Sequence, residues 1–318
     1  MKISVVAPFY NEAENVDDFF GRVLPVIQSQ SSDYEILCIN DGSTDNTLPE
    51  LQAWKAKCQQ IKIVNLSRNF GKESALTAGL DLADGDVVIP LDSDLQDPPE
   101  LIAEMLSKWK EGYDVVYAKR VMRQSDTVFK RWSALGFYRL FNWITDTKIP
   151  YNTGDFRLLD RKAVEAVRRL DERTRFMKGI FAWVGFRQTA VEYERPPREH
   201  GKVHLHFSNL WRLAVDGITS FSTFPLRVWS YIGLFIALIS FIYGVVIIAK
   251  TLLFGVDLPG YASIITVVLF LGGIQLISLG VIGEYIGRIF YEIKGRPNYI
   301  LDEDRREVRR DDEEEPGG

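Results

Sequence analysis

"DVVIPLDSDLQDPPE", residues 86–100, decides how the chain is read. Val87 to Leu91 form an unbroken apolar run, the pattern of a parallel strand buried on both faces. Asp92, Asp94 and Asp97 follow within a few positions, and Pro98, Pro99 and Glu100 carry the signature of a helix start. The stretch therefore predicts a strand, an acidic loop and a helix in succession. Asp97 is expected at or near the helix cap, because its side chain precedes the prolines. Asp92 and Asp94 lie too far upstream to cap anything, which leaves a ligand-binding role open to them.

The pattern repeats on both sides. Apolar runs at 3–8, 34–40, 61–66 and 113–118 flank it, and helical stretches are predicted at 12–27, 45–57, 72–83 and 99–110. Strands alternating with helices predict an open, doubly wound, mostly parallel α/β sheet of Rossmann-like type. Ligands of such sheets sit beyond the carboxyl ends of the strands. Asn11 and Glu12, Asp41 and Ser43, Arg68 and Asn69, and Asp92 and Asp94 all follow strand ends, so four turns converge on one predicted site. None of these turns carries GxGxxG or GxxxxGK[ST], which argues against a dinucleotide oxidoreductase and a P-loop enzyme.

The last third is different in kind. Residues 228–249 and 259–283 contain no Asp, Glu, Lys or Arg, and each is long enough for a bilayer, which takes about 20 apolar residues in a helix. The short connection makes them a hairpin with both flanks on one side. Arg212, Arg227, Arg288, Lys294 and Arg296 flank the spans, so the positive-inside bias places the N-terminal part and both termini in the cytosol. The N-terminus lacks the pattern of a signal peptide. Residues 208–221 predict an amphipathic interfacial helix, with Leu210, Trp211, Leu213, Val215 and Ile218 on its apolar side. The expected organisation is a cytosolic α/β domain at 1–206, a juxtamembrane helix at 207–227, spans at about 228–250 and 261–287 within 228–289, and a charged tail at 290–318.

The net charge of −5 arises in the segment 302–315, and the rest of the 318-residue chain balances to zero, so no nucleic-acid partner is expected. Cys38 and Cys58 have no CxxC spacing and read as reduced thiols of a cytosolic domain. His200, His204 and His206 are too few for a zinc site and read as solvated or phosphate-contacting. Glycines 272, 273, 280, 283 and 287 permit close helix approach, and the apolar faces allow a homo-oligomer of unspecified size.

Carboxylates at i and i+2 just past a strand can hold one hard cation, with diphosphate oxygens and waters completing the octahedron of Mg²⁺ or Mn²⁺. "NDGSTDNT", residues 40–47, permits two readings. Asp41 and Gly42 form a tight turn with Ser43 or Thr44 as a helix cap, or Asp41 faces the base or ribose of a nucleotide.

"VVAPFYNEAENV", "INDGSTDNT", "LSRNFGKESAL" and "DSDLQDPPE", together with "YNTGDFRLLDR" and "DGITSFSTFPLR", resemble the family 2, GT-A type glycosyltransferases, in particular the polyprenyl-phosphate (dolichol-phosphate mannose synthase-like) branch. The resemblance runs in order over nearly the whole chain. It implies a GT-A domain in which Pro8, Tyr10, Asn11, Glu12, Asp41, Ser43 and Lys72, with Asp92 and Asp94, bind the nucleotide sugar. Asp92, Asp94 and Gln96 are implied as contacts of Mg²⁺ or Mn²⁺, and Arg120, Arg131, Arg198 and Lys202 as phosphate contacts. Asp155 and Asp94 are implied as catalytic. One departure stands out: where the family often has R-x-x-G-x-S-K, this chain has Val203 and His204 at the Ser and Lys positions after Arg198 and Gly201.

The resemblance implies inverting transfer of a sugar from a nucleotide diphosphate to the phosphate of a membrane polyprenol. A phosphate monoester has a second pKa of about 6 and needs no strong base. Asp155, expected in a turn before Arg157, therefore orients a substrate or takes a proton. UDP-glucose is the expected donor, with GDP-mannose and other UDP-sugars as alternatives. A processive polysaccharide synthase is disfavoured because its QxxRW and TED-like motifs are missing, and a non-catalytic scaffold because the Asp92/Asp94 pair is intact.

Overall fold

A computed structural model describes residues 1–121, 150–173, 175–194, 222–254 and 260–302. Arg131, Arg198, Lys202, the three histidines, the 208–221 segment and the end of the tail lie outside the described residues.

The predicted βα series forms. Strands β1 (Ile3–Phe9), β2 (Tyr34–Asn40), β3 (Ile61–Asn65), β4 (Val87–Pro90) and β5 (Val115–Arg120) alternate with helices α1 (Val16–Gln30), α2 (Thr47–Lys57), α3 (Lys72–Leu82) and α4 (Ile102–Lys110). Short 3₁₀ turns at Ala13–Asn15 and Pro99–Leu101 lead into α1 and α4. Two further strands, β6 (Thr153–Asp160) and β7 (Gln188–Tyr193), and helices α5 (Arg161–Arg168) and α6 (Met177–Trp183), complete a seven-stranded sheet of order β3-β2-β1-β4-β6-β5-β7. All pairings are parallel except those of β6, which runs antiparallel to both β4 and β5.

Apolar layers cover both faces. One packs Phe9, Phe19, Phe20, Ile36 and Met105 beneath α1, α2 and α4, and the other packs Val6, Leu76, Leu80, Leu159 and Phe181 beneath α3, α5 and α6. Full burial on both sides explains why the strands read as continuous apolar runs rather than alternating ones.

The direction of β6 corrects one expectation. Asp155 lies in a strand, not in a turn, and because β6 runs antiparallel to β4 its first residues reach the carboxyl end of β4 where Asp92 begins. Arg157 makes no hydrogen bond to the Asp155 carboxylate. Its guanidinium donates to the carbonyl oxygens of Gly154 (2.8 Å) and Asp155 (3.2 Å) and stacks 4.1 Å from the Phe181 ring.

Helices α7 (Phe224–Phe254) and α8 (Tyr261–Ile293) form the hairpin. Pro225 sits in the first turn of α7, where its missing N–H costs nothing. Windows Phe224–Ile247 and Phe270–Ile293 are long and apolar enough to cross a membrane, and none of their residues is buried within the chain. Phe241 (71% exposed) and Leu276 (71%) show the result: large apolar side chains with no protein cover, which is stable only against lipid or another apolar partner. Tyr285 donates to the Ser222 carbonyl oxygen at 2.6 Å, tying α8 to the residues that enter α7.

After α8 the chain returns to the sheet. Leu301 forms an antiparallel bridge with Leu66, and the Ser67 and Asp302 amides donate to the carbonyl oxygens of Ile300 and Asn65 at 2.9 Å. The free edge of β3 is thereby covered at one end.

Candidate active site

The carboxyl ends of β1, β2 and β4 and the start of α3 surround a cavity of about 300 Å³. Pro8, Tyr10, Glu12, Asp41, Lys72, Asp92 and Asp94 all line it; Glu12, Asp41, Asp92 and Asp94 come from the strand-end turns and the other three from the residues the family resemblance implied. Phe9, Asn69, Gly71, Ala75 and Ser93 complete the wall. Asn69 and Gly71 belong to the "SRNFGK" turn, where Asn69 follows the strand end and both residues lie in a motif of the family resemblance.

Asn11 and Ser43 stand one step out, bracing the rim. Asn11, held at φ 54°, donates its amide to Ser43 Oγ (3.1 Å) and accepts from the Thr44 amide (2.9 Å). Glu12 donates its amide to Thr47 Oγ1 at 2.9 Å while its carboxylate accepts from Asn15, and burial raises its pKa. The β1 and β2 turns are thus stitched together by side chains that the strands alone would not align.

The helix-cap reading of this turn does not hold: the N-cap of α2 is Asn46 with no side-chain hydrogen bond, so neither Ser43 nor Thr44 caps it, and Asp41 faces the turn before α3 instead. It lines the cavity, yet its two oxygens accept from the Phe70 amide (2.7 Å) and the Gly71 amide (2.9 Å), which fixes the turn that enters α3. Burial raises its pKa, and the two amides oppose that rise by stabilising the carboxylate. Gly42 makes this approach possible. Its φ is +66°, and a Cβ there would lie 2.4 Å from the Arg68 carbonyl carbon.

The opening stretch divides differently from its sequence reading. Asp97 does not cap the following helix: the 3₁₀ turn has no side-chain cap, and Asp97 is buried. Its carboxylate instead accepts from Tyr193 of β7 and from Arg120 Nη2 at 3.1 Å, while Arg120 Nε donates to the Tyr193 hydroxyl at 2.8 Å. Gly154 packs against this cluster, where a Cβ would stand 3.2 Å from both Arg120 Nη2 and Asp97 Oδ2. Arg120 is consequently anchored at the end of β5 with about a third of its side chain (32%) still exposed. Gln96 does not line the cavity, and its amide donates to Asp94 Oδ1 at 3.2 Å.

The centre of the site is a three-residue ion cluster. Lys72 Nζ, at the first position of α3, lies 2.8 Å from Asp92 Oδ2 and 2.7 Å from Asp155 Oδ2. Burial raises the pKa of Asp92, whereas Asp155 is held below the usual range because Lys72, Lys178 and Arg157 outweigh its burial. Asp155 Oδ1 is buried and has no hydrogen-bond partner. Next to Lys72, the half-buried Glu73 accepts from the Met177 amide at 3.1 Å, and burial beside Asp155 pushes its pKa up to about 7.

A carboxylate-walled cavity at strand ends, on an α/β domain joined to an apolar hairpin, defines a membrane-associated ligand-binding domain of the doubly wound class. Comparison with known proteins makes this specific. Residues 4–168 match the model of glycosyl transferase family 2, and residues 224–289 match that of the GtrB C-terminal hairpin. The chain belongs to glycosyl transferase family 2 and is a transferase.

It is 55% identical over 301 residues to an uncharacterized glycosyltransferase of Synechocystis sp., with 95% of each chain covered. It is 50% identical over 306 residues to the SfII prophage-derived bactoprenol glucosyl transferase of Shigella flexneri, covering 96% of this chain and 99% of the relative. A prophage bactoprenol glucosyl transferase homolog of Escherichia coli is 48% identical over 301 residues, covering 95% and 98%.

Proposed function

We propose that this protein transfers glucose from UDP-glucose, with inversion, to the phosphate of a membrane polyprenol such as undecaprenyl phosphate. The observation that carries the reading is the near-full-length identity to a bactoprenol glucosyl transferase in a chain whose cavity wall carries Asp92 and Asp94, with Lys72 linking Asp92 to Asp155. The catalytic domain and both termini face the cytosol, and α7 and α8 pass through the inner membrane. Self-association through the exposed hairpin faces fits the same reading.

Pro8, Tyr10, Glu12 and Asp41 contact the nucleoside, and Asn11 and Ser43 hold the rim that receives it. Asp92 and Asp94 suit Mg²⁺ or Mn²⁺: both are hard oxygen donors on the cavity wall, and a cationic ammonium already rests against Asp92. Gln96 is a third candidate contact. Among the described residues no group of three or more His, Cys, Asp or Glu side chains could hold a metal ion by itself, so diphosphate oxygens and water would have to complete the coordination. Such an ion would neutralise charge building on the departing nucleoside diphosphate.

Arg120, Arg131, Arg198 and Lys202 bring the anionic lipid phosphate to the sugar by electrostatic attraction. The acceptor phosphate oxygen attacks the anomeric carbon, and the bond to the nucleoside diphosphate breaks on the opposite face. Asp155, held below the usual carboxylate range beside Lys72, is suited to orient the incoming group, and its Oδ1 is buried without a hydrogen-bond partner.

The test is a panel of radiolabelled nucleotide sugars with undecaprenyl phosphate and Mg²⁺ or Mn²⁺. Lipid-linked glucose from UDP-glucose is the expected product. Transfer from another donor alone would overturn the sugar assignment, and no transfer from any donor would overturn the enzyme reading. Full activity in Asp94→Ala would remove the metal assignment.

A further inference from the structure

Lys72 is placed as few lysines are, with one ammonium shared between a cavity-wall carboxylate and a strand carboxylate. Asp92 retains 31% side-chain exposure, Asp155 only 12%, and Lys72 itself 44%, so the lysine is the member with room to move. Asp155 has no other described side-chain hydrogen-bond donor, because Arg157 is committed to two carbonyl oxygens and the Phe181 ring. A flexible four-carbon stem carrying a point charge with three donors can give up one carboxylate and keep the other.

We propose that Lys72 is a positioning residue that stands in for the divalent cation at Asp92, and that cation binding hands Asp92 over and leaves Lys72 to orient Asp155 alone. This rests on the metal reading of Asp92 and Asp94 and adds a coupling between the leaving-group side and the acceptor side of the site. The reason is Coulombic. An ammonium 2.8 Å from Asp92 Oδ2 occupies a place a cation would take, and a like charge of two units so near repels it strongly. Asp155, 2.7 Å from the same nitrogen, is ready to retain it. Thereby a carboxylate that never touches the cation still feels its arrival.

The experiment uses the full-length protein in detergent and measures Mn²⁺ binding by the electron paramagnetic resonance of free Mn²⁺, with UDP present to complete the coordination, a UDP-only control and no acceptor. Lys72→Met removes the competing charge and is expected to tighten Mn²⁺ binding by about tenfold, while kcat for sugar transfer falls and the KM for the nucleotide sugar changes little. Lys72→Arg keeps the charge and is expected to bind Mn²⁺ as the wild type does.

Asp155→Asn retains Lys72 but removes its second partner. Mn²⁺ binding is therefore expected to weaken severalfold, and this weakening should shrink in the Lys72→Met background. The Asp155→Asn measurement decides the question even where Lys72→Met does not fold. Unchanged or weaker Mn²⁺ binding in Lys72→Met, or strictly additive effects in the double variant, would overturn the proposal. The two readings separate cleanly. A wild-type chain that binds no Mn²⁺ overturns both, whereas Mn²⁺ binding that Asp92→Asn weakens and Lys72→Met leaves unchanged overturns the lysine hand-over alone.

Discussion

The Tyr299 hydroxyl, beyond the second apolar helix, donates to Asp81 Oδ2 of α3 at 3.0 Å, a contact between residues 218 positions apart. It belongs to a strap. Arg173 donates its amide to Glu292, Asn298 donates to the Glu172 carbonyl oxygen, and Leu301 bridges Leu66 at the sheet edge. The turn after Leu66 leads to Asn69 and Gly71 of the cavity wall, so the segment that leaves the hairpin also steadies one side of the site.

Tyr299→Phe removes the donor and leaves a partly buried carboxylate without it. The expected cost is about 1–2 kcal/mol, read as a lower Tm of the detergent-solubilised protein. Nucleotide affinity should change little, because Asp81 does not line the cavity.

Asp97→Ala should be more damaging. It strands Arg120 and Tyr193 together, and breaking a mostly buried ion pair costs about 2–4 kcal/mol where one partner keeps some solvent. Arg120 also loses its fixed position. The expected signature is a lower Tm together with a raised KM for the lipid phosphate, measured with UDP-glucose saturating.

Gly42→Ala tests the join between the β2 and β3 turns. An alanine must adopt φ +66° and place its Cβ 2.4 Å from backbone, so the turn has to open. A loss of at least about 2 kcal/mol is expected. Binding of UDP, followed by calorimetry, should weaken because Asp41 is displaced with its two amides.

Glu73 gives a pH signature. Its folded pKa of about 7 lies above the ordinary carboxylate value of 4.5, so the protonated form is favoured by folding. Its contribution is fully present below about pH 4.5 and is lost as pH rises through 7. Glu73→Gln keeps an acceptor for the Met177 amide and removes the charge. It should raise stability at pH 8 by about 1–2 kcal/mol and change it little at pH 4.5, as read from paired melting curves.

The elements nearest in sequence were the most legible. Five apolar runs and the helices between them appear where their periodicity puts them, because burial on both faces leaves a continuous signal. The strand-end turns were legible too, and five of the residues picked from them, Glu12, Asp41, Asn69, Asp92 and Asp94, line the cavity. β6 and β7 went unseen, since each follows a stretch without a clear period and pairs only with distant partners. Asp97 was misread for a related reason: its prolines announce a helix, but its partners Arg120 and Tyr193 arrive from two other strands.

The sequence by itself determined the α/β class, the apolar hairpin, the family, and the residue types available for a nucleotide sugar and a hard cation. These depend on local pattern and composition, which a chain carries in order. Only the tertiary structure decided that Asp155 meets Lys72 and Asp92, that Asp97 holds Arg120, and that the post-hairpin segment returns to the sheet. Those facts follow from the antiparallel insertion of β6 and from chain closure over long separations, and no local pattern encodes which distant residues such closure brings into contact.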